Sequence, residues 1–404
     1  MKRLLLLLIL LSSSFALDNY GYSRISIERT WTIEKGEGSF IDFTGTLAVN
    51  NSNQRVLKVT VEPDMDYSMD EDGVISLHYK GTVDRSPFVI KGTALVDVDY
   101  DTNITSDGPL PDSNLSFTDL TRPSDGIRTE ARLLSDRSSA LRTIEAITNW
   151  IHDSVEYDVS CWGESNPATV VYDEKRGVCV EFTHLLISMA RSSGLEARYV
   201  NGYVYATSWQ PHAWAEVHVP GYGWLPADAT FAQVGILDSS HVAINYGGDQ
   251  STTFDLLLSD DHDITMEVSN KVEEKLSTED LKGASISIDF DNETYVASVS
   301  ITNERPEYLF GTYTIQMPDG YGAGTAEALL LEPSQNLRRY YGFNHSLFDD
   351  GYTYTVPVRA SFNDAKAERM VTVNGLPNAA KAPAEPPCPA AFLLLGLLLT
   401  RAFI

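Results

Sequence analysis

Apolar and polar residues alternate with a period of two over 24–28, 40–44 and 57–61, and again over 74–77 and the long run 88–100. Turn residues separate these runs: Glu37-Gly38, the cluster 50–53, and Asp72-Gly73. Short strands at regular spacing predict a β-sandwich domain over 17–125. Residues 101–136 are rich in Asp, Ser, Pro and Asn and read as an irregular linker. The period changes at Ser138, where Leu141, Ile144, Ile147, Ile151 and Val155 recur at helical spacing. A second helix is predicted over 180–193, ended by Gly194 in the position after the cap. Strands are predicted over 197–206, 212–219 and 224–228, which makes 126–275 a mixed α+β core. Alternation returns from 285 to 373 and predicts an immunoglobulin-like β-sandwich over 280–374. No internal repeat is evident.

The two ends carry different apolar signals. Lys2 and Arg3 precede the apolar run 4–11, and Ser14-Phe15-Ala16 has the small-x-small form of a cleavage site. Residues 1–16 therefore read as a signal peptide. Residues 375–388 are Pro- and Ala-rich and read as a stalk. Residues 389–404 read as a C-terminal membrane tail. A helix of about 15 residues rises only ~22 Å, so the tail anchors the chain if Arg401 snorkels and the bilayer thins. Retention or processing of this tail is left open. These signals place the chain at the cell surface, outside the cytoplasm. Five Asn-x-Ser/Thr sites, at Asn50, Asn103, Asn114, Asn292 and Asn344, fit that placement weakly.

Charge and cysteine content narrow the picture. A formal charge of −26 argues against a nucleic-acid partner. There are three cysteines: Cys161, Cys179 and Cys388. A secreted fold stapled by disulfides has more, in pairs, so ordinary cores must supply the stability here.

Cys179 follows Gly177-Val178 and opens the second predicted helix. The unpaired N–H groups and the positive end of a helix favour a thiolate and can hold an oxyanion beside it. Gly177 lets the backbone turn sharply and a substrate approach. His212 begins a strand on which Trp214, Glu216 and His218 share its face. Ala213, Ala215, Val217 and Val219 form the other, apolar face. An imidazole suits the task of stabilising the thiolate and protonating a leaving group. Asp228, on the next strand, is the acceptor that would orient it. The two share a sheet face only if the loop at 220–223 closes with an odd number of residues, three or five. Taken singly, a helix-start cysteine is more often a buried hydrophobe and a strand histidine a structural hydrogen-bonder. Taken together and in this order, the three read as a catalytic set.

The same stretch resembles the transglutaminase-like superfamily. The matching elements are Gly177-Val178-Cys179, the run 194–198, Gly202-Tyr203, the run 212–217 and the run 224–230, with further likeness from Phe231 to His241. The resemblance covers 140–250 and departs from the family at Ala229, where a proline is usual. It implies a papain-like α+β core with the Cys helix packed on an antiparallel sheet. It also implies Cys179, His212 and Asp228 as catalytic triad. An upstream oxyanion donor is less defined. Trp162 is a candidate through its indole N–H, Tyr157 is an alternative, and Trp209 either lines the cleft or caps its strand.

The expected activity is attack of Cys179 on an amide of a protein or peptide substrate through a thioester. Hydrolysis, as by a peptidase or amidase, is favoured. Cross-linking by amine transfer is the alternative, and a non-catalytic surface protein binding peptide or glycan is the rival of another class. A Cys161–Cys179 disulfide would act as a redox latch, but free thiols are the favoured reading. No cofactor is implied. The acidic clusters at 259–263 and 289–293 are conceivable Ca²⁺ loops but lack the spacing of a calcium-binding helix-loop-helix, and solvated loops are expected. Oligomeric state is not readable.

Overall fold

The structure is a computed structural model that describes residues 21–277, 281–317, 325–343, 348 and 351–374. The expected signal segment 1–16, stalk 375–388 and tail 389–404, with Cys388 and Asn344, lie outside the described residues. Among the described residues no helix is long and apolar enough to cross a membrane.

Alternation in the first strand, Tyr22–Glu34, buries every second residue, including Ile25, Ile27, Trp31 and Ile33. This strand lies in a four-stranded sheet, in the order Thr265–Ser277, Tyr22–Glu34, Phe88–Asp99, Gln54–Glu62. A second sheet, Leu256–Ser259, Phe40–Val49, Val74–Thr82, Asp66–Met69, faces it. The expected β domain is thus a sandwich, but the core does not run to 275. Strands Leu256–Ser259 and Thr265–Ser277 leave the core and pair with Phe40–Val49 and Tyr22–Glu34. The physical reason is edge completion: each strand covers the open edge of a sheet whose inner face is already apolar. Asp255 pins the crossing point. It accepts hydrogen bonds from Arg29, Trp31 Nε1 and the Thr46 backbone, at 2.9, 2.7 and 2.9 Å.

The core has four helices: α1 (Asp125–Leu134), α2 (Ala140–Ser154), α3 (Ala168–Glu174) and α4 (Cys179–Ser192). Helix α2 carries the expected stripe, with Leu141, Ile144, Ile147 and Ile151 buried and Ser139 capping the Arg142 N–H. Helix α1 lies where an irregular linker was expected. Its signal is brief: Ser124 caps it, Ile127 and Ala131 are buried, and Leu134 is partly so. Helix α4 is buried almost all round and ends at Gly194, whose φ of +93° belongs to the left-handed region that glycine tolerates.

The core sheet is antiparallel, in the order Gln233–Val234, Gly223–Asp228, Trp209–Val219, Ala197–Tyr205, Val242–Gly247. Ala213, Ala215, Val217 and Val219 pack with α4 and α2 in one hydrophobic core. Trp214, Val200, Val242 and Ile244 face the other way and join the core of the first sandwich. The sheet is therefore covered on both sides, by helices and by the sandwich. The last domain has sheets of three and four strands, Ala284–Asp291, Val296–Asn303, Asn336–Gly342 and Thr325–Leu331, Leu309–Gln316, Thr353–Phe362, Ala365–Asn374. It is held to α2 by Asn149, which bonds both the N–H and the C=O of Ala328, and by Glu145 and Arg142 on Leu330.

Candidate active site

Cys179 is the first residue of α4 and is almost fully buried. Glu181 folds back to cap the helix. Its Oε2 accepts the Val178 N–H at 3.1 Å, and its Oε1 accepts the Asn166 N–H at 3.1 Å. A Cβ at Gly177 would sit 2.4 Å from the Glu181 Cβ. The glycine is therefore required by the cap packed against it, and its backbone is not in the left-handed region. Gly177→Ala is expected to cost about 1–3 kcal/mol by overpacking, read as a lowered Tm in thermal unfolding. An unchanged Tm would mean that the cap moves aside freely.

The hairpin pairs Val219 with Gly223 and Ala215 with Ala227, so its loop is the three residues 220–222. That odd length puts His212 and Asp228 on one face. His212 Nε2 donates to Asp228 Oδ2 at 2.7 Å, and both residues are buried. The other ring nitrogen, Nδ1, is left for Cys179, whose sulfur is near enough to act on the imidazole electrostatically. Burial works against charge on His212, but the Asp228 carboxylate and the Cys179 sulfur outweigh it and push the imidazole up to about 10. Burial likewise opposes charge on Asp228. The His212 and His241 rings prevail and hold its carboxyl well below the usual range. Asp228 Oδ1 accepts the Thr230 N–H at 2.7 Å, so the turn after the aspartate forms with Ala229 in the usual place of proline.

Tyr157 is the side chain that touches Cys179 from upstream. Its hydroxyl is near enough to Cys179 for the backbone N–H and the thiol both to act on it electrostatically. Burial and the nearby Cys179 and Asp228 push the phenol up to about 12. It stays protonated near neutral pH, a donor beside the sulfur. The parallel pairing of Glu156–Tyr157 with Arg176–Gly177 places it there.

The cleft beside the pair has a volume of about 390 Å³. Trp162, Val178, Tyr199, Pro211 and Phe254 line it, with Asn201, Glu164 and Gln250 as polar members. Trp162 and Phe254 are 58% and 67% exposed and stand at its rim. Trp162 is thus a cleft residue with no bond to Cys179. Trp209 does not line this cleft; its ring meets Tyr205 edge-on at 5.7 Å and packs toward the first sandwich. The Trp162 loop is tied down by Asn166, whose carbonyl accepts from His184 Nδ1 at 3.0 Å.

The other expectations sort as follows. Glu216 is buried and structural, bonded to Arg198 at 2.6 Å and to the Tyr246 hydroxyl at 3.2 Å, while His218 is exposed. Cys161 and Cys179 are both free thiols. In the acidic loops, Asp260 and Asp261 bond the Phe40 and Asp263 N–H groups, and Asp289 pairs with Arg369. His241 was part of the family-like run but had no assigned role. Its Nε2 lies 3.1 Å from the same Asp228 Oδ2 that His212 uses. The sequence signal for it was the Asp238-x-x-His241 spacing, which places a carboxylate beside the ring within one turn. His212, Asp228 and His241 are the one grouping of three among the described residues with metal-ligand side chains so close, within 4.8 Å. Both imidazoles present N–H groups to the carboxylate, whereas a metal needs their lone pairs. The arrangement is one of donors around an acceptor.

The Transglutaminase-like superfamily profile matches residues 128–229. An uncharacterized protein of Mycobacterium leprae is 26% identical over 98 residues, which is 22% of this chain and 34% of that protein. An uncharacterized protein of Mycobacterium tuberculosis is 27% identical over 238 residues, 50% of this chain and 75% of that protein. A solved structure from Cytophaga hutchinsonii, provisionally described as a cysteine protease, is 22% identical, with a TM-score of 0.43 over 65% of this chain and 94% of that one. Residues 128–229 of this chain are a transglutaminase-like superfamily core.

Proposed function

We propose that this chain is a thiol-dependent hydrolase of amide bonds in proteins or peptides. One observation carries the reading: Cys179, at a helix start, shares the wall of an open cleft with a buried imidazole whose far nitrogen is held by Asp228 at 2.7 Å. His212 takes the thiol proton, and the sulfur attacks the amide carbonyl carbon. The oxyanion forms beside the Cys179 N–H, with the nearby Tyr157 hydroxyl as a second donor. Collapse breaks the C–N bond, and His212 gives its proton to the leaving amine. Water then attacks the thioester, with His212 again taking a proton, and the acid departs. Exposed Trp162 and Phe254 at the rim suit apolar side chains flanking the scissile bond.

Iodoacetamide labelling of the intact protein near pH 6 tests this, with Cys179 followed by peptide mass spectrometry. Cys179 should label at least ~10-fold faster than a free cysteine, which is largely protonated at that pH. His212→Ala should remove that advantage. Labelling no faster than a free cysteine would sink the enzyme reading and leave a surface binding protein. Where labelling is fast, incubation with casein and a tagged amine distinguishes peptide release from amine incorporation, the cross-linking alternative.

A further inference from the structure

Every polar contact of the His241 ring nitrogens is with an oxygen that can accept. Nε2 lies 3.1 Å from Asp228 Oδ2. Nδ1 lies 3.1 Å from the Asp238 carbonyl and 3.3 Å from its Oδ2. A ring nitrogen facing only oxygen acceptors is satisfied only when it carries hydrogen, and here both nitrogens face them. The Asp238 carboxylate is itself satisfied only as an anion. Gln233 Nε2 donates to its Oδ2 at 3.0 Å, the Ser240 N–H donates to its Oδ1 at 3.1 Å, and the Ser240 hydroxyl also donates to Oδ1. Asp228, Asp238 and His241 are all buried.

We propose that His241 is a charged positioning residue that, with Asp238 as its counter-ion, shares Asp228 with His212 and sets the pH range over which the Cys179–His212 pair works. This rests on the thiol reading above. Without His241, an imidazolium at His212 would have Asp228 to itself, and the Asp238 carboxylate would lose its cation. The imidazolium would hold its proton too tightly for the leaving amine, and the uncompensated negative charge would oppose a thiolate. With His241 charged, one carboxylate is neutralised and the other is divided between two rings whose centroids are 5.5 Å apart. Burial opposes the charge on His241, yet Asp238 and Asp228 push the ring up to about 9.

The groups facing His241 from each packed element agree with this. The core hairpin presents His212 and Asp228, with Cys179 and Tyr157 beyond them. The first sandwich presents Tyr100, whose ring meets the imidazole edge-on at 6.4 Å and whose hydroxyl donates to the His241 carbonyl at 3.2 Å. Burial and the surrounding carboxylates keep that phenol well above its ordinary range, so it adds no charge. Glu274 is one hydroxyl removed, on Ser23, which bonds Ser239. Trp214 and Phe231 close the remaining sides with ring edges and faces at 5.3 and 6.0 Å.

Two measurements on the full chain test the idea. The first needs no variant: long-range proton–nitrogen NMR of protein labelled with ¹⁵N-histidine, at pH 7.5. Both His241 nitrogens should carry protons; a neutral ring with one bare nitrogen would overturn the proposal. The second is the pH profile of Cys179 alkylation in His241→Gln, which keeps a donor for Asp228 but loses the charge. The midpoint of its acid rise should move to higher pH by about one unit, the size expected for removing one buried charge at this range. A lower rate with an unmoved midpoint would mean a merely structural histidine. A wild-type Cys179 no faster than an ordinary thiol refutes the thiol chemistry itself, and with it the role of His241 though not its charge.

Discussion

Cys179→Ala is expected to lower the hydrolysis of a dye-quenched casein by at least ~10⁴-fold while leaving the fold in place. In the proposed mechanism each other part of the site acts on the sulfur: His212 moves its proton, Asp228 orients His212, and Tyr157 with the Cys179 N–H receives the oxyanion. Without the nucleophile, the remaining groups have only water to activate, and they are not placed for it. The fold should tolerate the change. Cys179 is a small buried side chain within the hydrophobic core of α4. Its loss costs about 1 kcal/mol, a fall in Tm of ~2–4 °C in a chain of this size. The helix start does not depend on the thiol either, because Glu181 caps it through the Val178 N–H. Initial rates and thermal unfolding on the same preparations decide the matter. A variant that keeps more than about 1% of the wild-type rate would show that the sulfur is not the nucleophile.

Much of this site was legible because period and order are local properties of the chain. Alternation over 212–219 separates the face that packs on α4 from the face that carries His212, and the loop at 220–222 has the odd length that face-sharing requires. What was not legible depends on contacts distant in sequence. Nothing local at 256–277 says that these strands complete the sheets begun at 22 and 40. The polar face of the core sheet is buried under that sandwich, which no reading of the hairpin alone could show. The cap on α4 was missed because its first partner is Val178, and the usual signature needs a Ser or Thr there. Gly177 was read as a turn device, but its reason is the Glu181 side chain against it. Trp209 lies three residues before His212, yet its strand directs it to Tyr205 and the first sandwich. Tyr157 reaches the sulfur only through a two-residue parallel pairing with Arg176–Gly177, too short to leave a periodic trace.

Asp228→Asn should cut the same hydrolysis by about 10³–10⁴-fold, by a different route from loss of the nucleophile. Asp228 accepts three hydrogen bonds, from Thr230 on Oδ1 and from His212 and His241 on Oδ2. An asparagine has one carbonyl oxygen. If that oxygen keeps the Thr230 N–H, the amide NH₂ faces two imidazoles and needs a lone pair on each. His212 must then carry its proton on Nδ1, toward Cys179, where it cannot serve as base. If the amide turns over, the Thr230 N–H and the NH₂ oppose each other and the turn opens. The variant should also unfold more easily, with a distinctive pH dependence. His212 and His241 are raised to about 10 and about 9 in the folded protein. Their contribution to wild-type stability is full below the unfolded histidine value of ~6.5 and is lost as pH climbs through 9 to 10. The Asp228 carboxyl is depressed, so its contribution is full above ~3.9 and is lost at lower pH. The deficit of Asp228→Asn should therefore be largest between about pH 4 and 6.5, where it leaves the His212 cation without its carboxylate and His241 with Asp238 alone, at roughly 3–5 kcal/mol. It should shrink toward pH 10, where His241 is mostly neutral and His212 about half so. Denaturant unfolding of both proteins at pH 5.5 and pH 10 reads the difference directly. A deficit equal at the two pH values would mean that the two histidines do not share the aspartate's charge.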